Sequence, residues 1–247
     1  MDKGIYIAMT GASATLKAQS AVAHNLANAD TDGFKAALVR TQAFPINGAG
    51  LNTRVDTTLQ SDAFDASAGA QITTGAPLDV ALKQDAWLAV QDAGGQEAYT
   101  RSGHLHVSQD GLLSTAAGQP LLGENGPISI PPYQSINVAA DGTISIVPQG
   151  QGPEVQATVG RIRTVQNDPA QLQRAADGLM HRVDNTPPAA LAGDVLTPGA
   201  LEGSNVNAAD TLVSMIELSR QFDLQVQVLH NSDDNARAAT SLLRLSS

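Results

Sequence analysis

The chain has 247 residues, of which 42% are hydrophobic, 15% charged and 3% aromatic, with a formal net charge of −10. That acidity argues against a nucleic-acid binder or a ligand of anionic membranes, and the lack of Cys excludes a disulfide, a thiolate metal site and a cysteine nucleophile. No run approaches the roughly 18 apolar residues of a membrane span, and Met1-Asp-Lys3 leads into a mixed amphipathic stretch instead of a signal peptide. A soluble chain is expected, one that leaves the cytoplasm, if it does, by another route.

The first predicted element is a helix from about Asp2 to Ala27. Ile5, Met9, Ala12, Leu16, Ala23 and Leu26 recur at spacings that paint one stripe. Gly4 and Gly11 each lower its intrinsic stability by up to ~1 kcal/mol, so contacts elsewhere must hold it. Ala12, Ala14, Ala18, Ala21 and Ala23 make it small-sided and open to close helix packing. It ends in His24-Asn-Leu-Ala-Asn-Ala-Asp-Thr-Asp-Gly-Phe34. There Asn28, Asp30 and Asp32 favour turns, Gly33 tolerates positive φ, and Leu26 and Phe34 can pack across the turn. On physical grounds alone this is an ordinary helix C-terminus.

Residues 36–70 lack periodicity. Asn47-Gly-Ala-Gly50 and Asp65-Ala-Ser-Ala-Gly69 are loop compositions, so an extended connector with little core is expected. From Gln71 the period becomes two. Strands are expected at Leu78–Leu82, Trp87–Gln91, Ala98–Arg101, Leu105–Val107, Leu112–Thr115, Ile128–Ile130, Ile136–Val138, Thr143–Val147, Val159–Val165 and Leu179–Val183. Asp110-Gly111, Asp141-Gly142 and Asp177-Gly178 mark the turns of an antiparallel unit over 71–185. Residues 186–200, with Pro187, Pro188 and Pro198, read as a linker.

The last segment, 201–247, opens with Leu201-Glu-Gly-Ser-Asn-Val-Asn207 and continues as one long helix from Ala208 to about Leu245. Gly203 breaks what precedes, Asn207 is placed to cap, and Asp210 favours the positive end of the helix dipole. Leu212, Met215, Ile216, Phe222, Val226, Leu229, Ala236, Leu242 and Leu243 form its stripe. At 1.5 Å per residue this helix is on the order of 50 Å long, so it needs a partner, and the N-terminal helix is the candidate. The fold class is therefore α+β. A discontinuous, coiled-coil-like pair of N- and C-terminal helices flanks an all-β, mainly antiparallel middle domain.

Chemistry is sparse. His104 and His106 share a strand face, a spacing that suits a metal ion, but no third ligand lies in a local motif. His24, His181 and His230 are isolated. There is no Gly-x-Ser-x-Gly elbow and no phosphate loop. Asp233 lies four residues before Arg237 and serves helix electrostatics. Trp87 sits mid-strand as a core filler. The bland reading of the two stripes is an intramolecular pair. The functional one adds packing against other subunits, with Gln19, Gln221, Gln225 and Gln227 available to hydrogen-bond between them.

These segments carry a resemblance. His24 to Lys35 is similar to the signature Ala-Asn-Asn-Leu-Ala-Asn-x-x-Thr-x-Gly-Phe-Lys of the bacterial flagellar rod and hook axial family, with His24 in place of the first Asn of its pair. Leu201 to Asn207 before a long helix resembles that family's second signature. Gln71–Val80, Asp85–Val90 and Ala98–Gly103 resemble its shared β domain. The motif positions carried over are Asn25, Leu26, Asn28, Gly33, Phe34, Gly203, Asn205 and Asn207. The chain is too short for the insertion of the hook members and looks most like a proximal rod subunit.

The resemblance implies a structural part of the basal body and not an enzyme, with no cofactor, no metal, no nucleic acid and no membrane insertion. Such subunits are exported unfolded through the flagellar type III apparatus. Their terminal helices polymerise into a tube that crosses the periplasm and transmits torque, with other rod proteins, the distal one foremost, as neighbours. The assembly contacts fall on Ile5, Met9, Leu16, Leu26, Leu212, Ile216, Phe222, Val226, Leu229 and Leu243. The alternatives are a distal rod or related axial protein, a secreted β-rich hydrolase of cell-wall glycan, which needs a carboxylate cluster in a β-domain pocket, and a soluble adaptor.

Overall fold

A computed structural model describes residues 4–45, 55–83, 85–152, 154–184 and 186–245. In chain order the elements begin with α1 (Gly4–Ala27), β1 (Ala37–Pro45), β2 (Val55–Phe64), β3 (Gln71–Thr73), β4 (Val80–Leu82), β5 (Ala86–Gln91) and β6 (Glu97–Thr100). Then come β7 (Leu105–Val107), β8 (Leu113–Thr115), β9 (Leu122–Gly123), β10 (Gly126–Pro127), β11 (Tyr133–Val138) and β12 (Thr143–Pro148). The rest are β13 (Ala157–Arg161), β14 (Thr164–Gln166), β15 (Leu172–Arg174), β16 (Met180–Arg182), β17 (Leu196–Pro198), β18 (Ala200–Glu202) and α2 (Ala208–Leu245). Two helices at the ends flank an antiparallel β middle, as the periodicities indicate.

The chain divides into two compact units. The helical unit holds residues 1–27, 37–63 and 207–247, and the β unit holds 28–36 and 64–206. These borders differ from the compositional ones. The stretch read as an extended connector carries β1 and β2, which pair with each other. The stretch read as a linker places β17 against β4 and the first residue of β18 against β3, with Leu196 fully buried. Proline there sits at β17's last position, Pro198, where a short strand tolerates it. Residues 28–35, read with the N-terminal helix, and 201–206, read with the C-terminal one, both belong to the β unit. The loop at 47–50 lies outside the described residues.

In the helical unit α1 packs along α2 and also meets β1. Asn25, near the end of α1, accepts from Ala37 N at 2.7 Å and donates to Ala37 O at 2.9 Å, tying the first residue of β1 to the helix. Asn207 begins α2: its Oδ1 accepts from Ala209 N at 3.0 Å and Asp210 N at 3.4 Å, satisfying donors the helix itself cannot. Ala8, Ala14 and Thr15 of α1 are buried. Among the described residues of α2 none is.

The β unit is built on a five-stranded antiparallel sheet in the order β14-β5-β6-β16-β15, beside a three-stranded sheet β11-β12-β13 and short two-stranded ladders. β5 lies inside this sheet, between β14 and β6. Its alternate residues Ala86, Leu88 and Val90 enter the larger core with Leu113, Leu121, Ile144 and Ile162, while Trp87 and Ala89 enter a second with Tyr99, Val165, Leu172 and Met180. A strand covered on both faces has no polar side, which is why 86–90 reads as a continuous apolar run. Two strand expectations change. The run Val159–Val165 is split, β13 pairing with β12 and β14 with β5. Residues 128–130 form only an isolated bridge, Leu112 to Ser129.

Candidate functional site: the buried junction of the two signature segments

The first residues to consider are charged ones that the core holds. Lys35, Arg101 and Glu202 are 1%, 4% and 2% exposed. Lys35 follows the turn after α1, Arg101 follows β6, and Glu202 ends β18. Lys35 Nζ lies 2.7 Å from Glu202 Oε1. Arg101 Nε donates to Glu202 Oε2 at 2.8 Å and Nη2 to the same oxygen at 2.5 Å. Further donors reach the backbone: Lys35 Nζ donates to Ser67 O at 2.6 Å, Arg101 Nη1 to Ala86 O at 2.8 Å, and Nη2 to Leu82 O at 3.2 Å. Gly69 N donates to Glu202 Oε1 at 3.0 Å. One carboxylate thus holds two cations that are themselves hydrogen-bonded to backbone carbonyls, the condition under which buried charge is tolerated.

Electrostatics follow from that arrangement. Burial alone pushes the Glu202 carboxyl up, but the Lys35 hydrogen bond and the Arg101 charge outweigh it and hold the group below its ordinary value. Burial pulls the Lys35 amine down, partly offset by Glu202. The Arg101 guanidinium also lies 5.7 Å from the centre of the Trp87 ring, a cation–π contact.

The backbone closes around the same point. Gly33 N donates to Glu202 O at 2.6 Å and Asn205 N to Phe34 O at 3.3 Å. Asn205 Oδ1 accepts from Ala36 N at 2.7 Å, while its Nδ2 donates to Asp65 O at 3.0 Å and Ser67 O at 3.1 Å. Arg174 lies over the Phe34 ring at 4.6 Å and donates to Lys35 O at 2.6 Å. Gly33 has φ +69°, and a Cβ there would lie 2.3 Å from the Arg101 carbonyl carbon and oxygen, so position 33 requires glycine twice over. The parts of the two signature segments that lie in the β unit, 28–35 and 201–206, therefore meet in one structural feature against the chain that follows β6.

Of the motif positions named from sequence, Gly33, Phe34, Gly203 and Asn205 meet at this junction, Gly203 N donating to Ala70 O at 2.8 Å. Asn28 O accepts from Thr31 N within the turn. Asn25, Leu26 and Asn207 lie in the helical unit. Sequence reasoning did not single out Lys35, Arg101 or Glu202, although each stands inside a quoted signature segment. The available signal was their charge, in a chain with only 15% charged residues.

The helix stripe is open. Met9 and Leu16 of α1 are 55% and 50% exposed, and Leu212 and Ile216 of α2 are 48% and 56% exposed. Leu26, Phe222, Val226 and Leu229 are half-buried. The side chains of Ile5 and Leu243 lie outside the described residues.

Other chemistry is thin. His104 Nδ1 pairs with Asp79 Oδ1 at 2.9 Å and His106 is exposed, and among the described residues neither histidine belongs to a group of three metal-ligating side chains. Asp92, Asp177 and His181 come close enough to share an ion, but Asp177 is exposed and such surface groups are common without one. A cleft of about 610 Å³ is lined by Leu82, Leu191 and Val195 together with Lys83, Asp85 and Glu202. The Glu202 carboxylate is committed to two cations and is not free to move a proton. No described helix is long and apolar enough to cross a membrane.

Three family models match the chain: the flagella basal body rod protein over residues 5–35, the flagellar hook protein FlgE/F/G D1 domain over 81–146, and the flagellar basal body rod FlgEFG protein C-terminal over 197–242. Flagellar basal-body rod protein FlgF of Escherichia coli (strain K12) is 43% identical, with all of both chains covered. FlgF of Salmonella typhimurium (strain LT2) is 42% identical at the same coverage. Flagellar basal-body rod protein FlgG of Buchnera aphidicola subsp. Acyrthosiphon pisum is 31% identical over 98% of this chain and 100% of its own.

Proposed function

The chain belongs to the flagellar basal-body rod protein family, closely matching FlgF, and we propose that it builds the proximal part of the rod by polymerising through its terminal helices. It is a structural axial subunit and not an enzyme. Identities of 43% and 42% over all of the chain, both to a FlgF, support the proximal position over the distal one. In this reading the subunit travels unfolded through the type III export apparatus, packs its helices into the tube that crosses the periplasm, and passes torque toward the distal rod protein.

The observation that carries the reading is the state of α2. It has 38 residues, and no described residue along it is buried. A stripe including Leu212, Val213, Ile216, Leu224 and Val228 stays about half or more exposed. Apolar area of that extent on an otherwise polar helix calls for further helices beside it. The junction at Glu202 has the complementary role of holding both ends of the β unit.

The test is complementation of a strain lacking this subunit with a chain ending after Val206, which keeps every residue of the β unit. The expected result is a non-motile strain whose truncated product is absent from isolated basal bodies. Normal swimming with that truncation overturns the proposal.

A further inference from the structure

We propose that Thr15 and Gln225 set the register of the α1–α2 pair, with Gly11 as the opening that admits the glutamine amide. Thr15 is a buried polar side chain in a helix whose other buried residues, among the described ones, are Ala8 and Ala14. Its hydroxyl lies 3.0 Å from Gly11 O, the ordinary bond to the preceding turn, and also 3.3 Å from Gln225 Oε1 across the pair. A Cβ at Gly11 would stand 3.3 Å from Gln225 Nε2 and 3.4 Å from its Cδ. The amide therefore rests on the bare Cα of Gly11 and reaches the Thr15 hydroxyl from there.

Apolar packing alone defines this alignment poorly. The described buried apolar residues of α1 are alanines, and one methyl group looks much like another a turn away. Phe222, Val226 and Leu229 repeat along α2 at similar spacing. A hydroxyl and an amide that meet in only one alignment supply the missing discrimination. A slip of one turn, about 5.4 Å, parts Gln225 from both Gly11 and Thr15. Register decides at what height along the pair the exposed residues of α2 stand, so the inference deepens the reading of these helices as the assembly element and rests on it. The experiment uses the free full-length chain, so a failure of assembly does not enter its result.

The chain has no Cys, so spin labels go only where cysteine is introduced. Lys17→Cys and Asp223→Cys place them on exposed positions of the two helices. The labelled parent gives a single narrow distance population, and Thr15→Ser, which keeps the hydroxyl, gives the same. Thr15→Val combined with Gln225→Leu keeps the helical circular dichroism but adds a second population displaced by about one turn, or broadens the first. A double variant as narrow as the parent overturns the proposal. So does a parent as broad as the variant. Loss of helicity in the double variant also overturns it, because the contact then serves stability and not alignment.

Discussion

Lys35 Nζ and Glu202 Oε1 are 2.7 Å apart although 167 positions separate them in the chain. Each side chain is 1% exposed. The β unit is thus closed by residues from both of its ends, and its stability depends on chain lying next to the two helices.

Glu202→Gln leaves two buried cations without their counter-charge. Breaking such a group by removing one partner costs about 3–5 kcal/mol. Lys35→Met should cost less, about 1–3 kcal/mol, because Arg101 still pairs with the carboxylate through two nitrogens. Urea unfolding followed by Trp87 fluorescence measures both, since Trp87, the sole tryptophan, sits in the β core. Equal losses from the two substitutions would contradict this account.

Acid should loosen the same junction. Because the folded-state value of Glu202 is lowered, the unfolded chain takes up this proton first as pH falls. The stabilisation is complete above the unfolded value of about 4.3 and is lost as pH falls through the lower folded value. The urea midpoint of the parent should drop below about pH 4, and Glu202→Gln should show a shallower dependence over the same range.

Two glycines separate strain from space. Gly33 and Gly75 have φ of +69° and +72°, but a Cβ at Gly33 meets the Arg101 backbone at 2.3 Å while at Gly75 nothing lies within 4 Å. Gly75→Ala should cost about 1–2 kcal/mol, the ordinary penalty of the left-handed region. Gly33→Ala should cost clearly more, read as a larger fall in thermal midpoint.

Asn205→Ala removes the acceptor for Ala36 N and the donor to Asp65 O and Ser67 O. Leaving Ala36 N without that partner should cost about 1–3 kcal/mol. Asn205→Asp keeps the acceptor but turns a carboxylate toward two carbonyls, so it should not restore the loss. Thermal melts of the three chains decide the matter.

On α2, Leu212→Asp with Ile216→Asp alters exposed positions. Stability should change by less than about 0.5 kcal/mol per site, yet the strain should be non-motile in soft agar. Retained motility would mean that this part of the stripe is not buried between subunits.

Much of the chain was legible before folding. The three-and-four spacing of α1 and α2, the alternation from Gln71 onward and the Asp-Gly turns depend on local periodicity, and local periodicity survives in a sequence. The borders were less legible. Residues 186–200 carry three prolines and looked like a linker, but Leu196 is drawn into the core through pairing with Leu82, a contact no local pattern encodes. The split of Val159–Val165 between two sheets is of the same kind.

By itself the sequence determined the two terminal helices with their ends at Ala27 and Asn207, the β character of the middle, the absence of thiol chemistry and the family signatures, because each rests on residue type and short-range spacing. Only the tertiary structure decided that Lys35, Arg101 and Glu202 form one buried group, that Gly33 is pressed against Arg101, and that Thr15 faces Gln225. Those relationships join residues far apart in the chain. A lone Lys, Arg or Glu reads as surface until the fold removes its water and supplies the opposite charge.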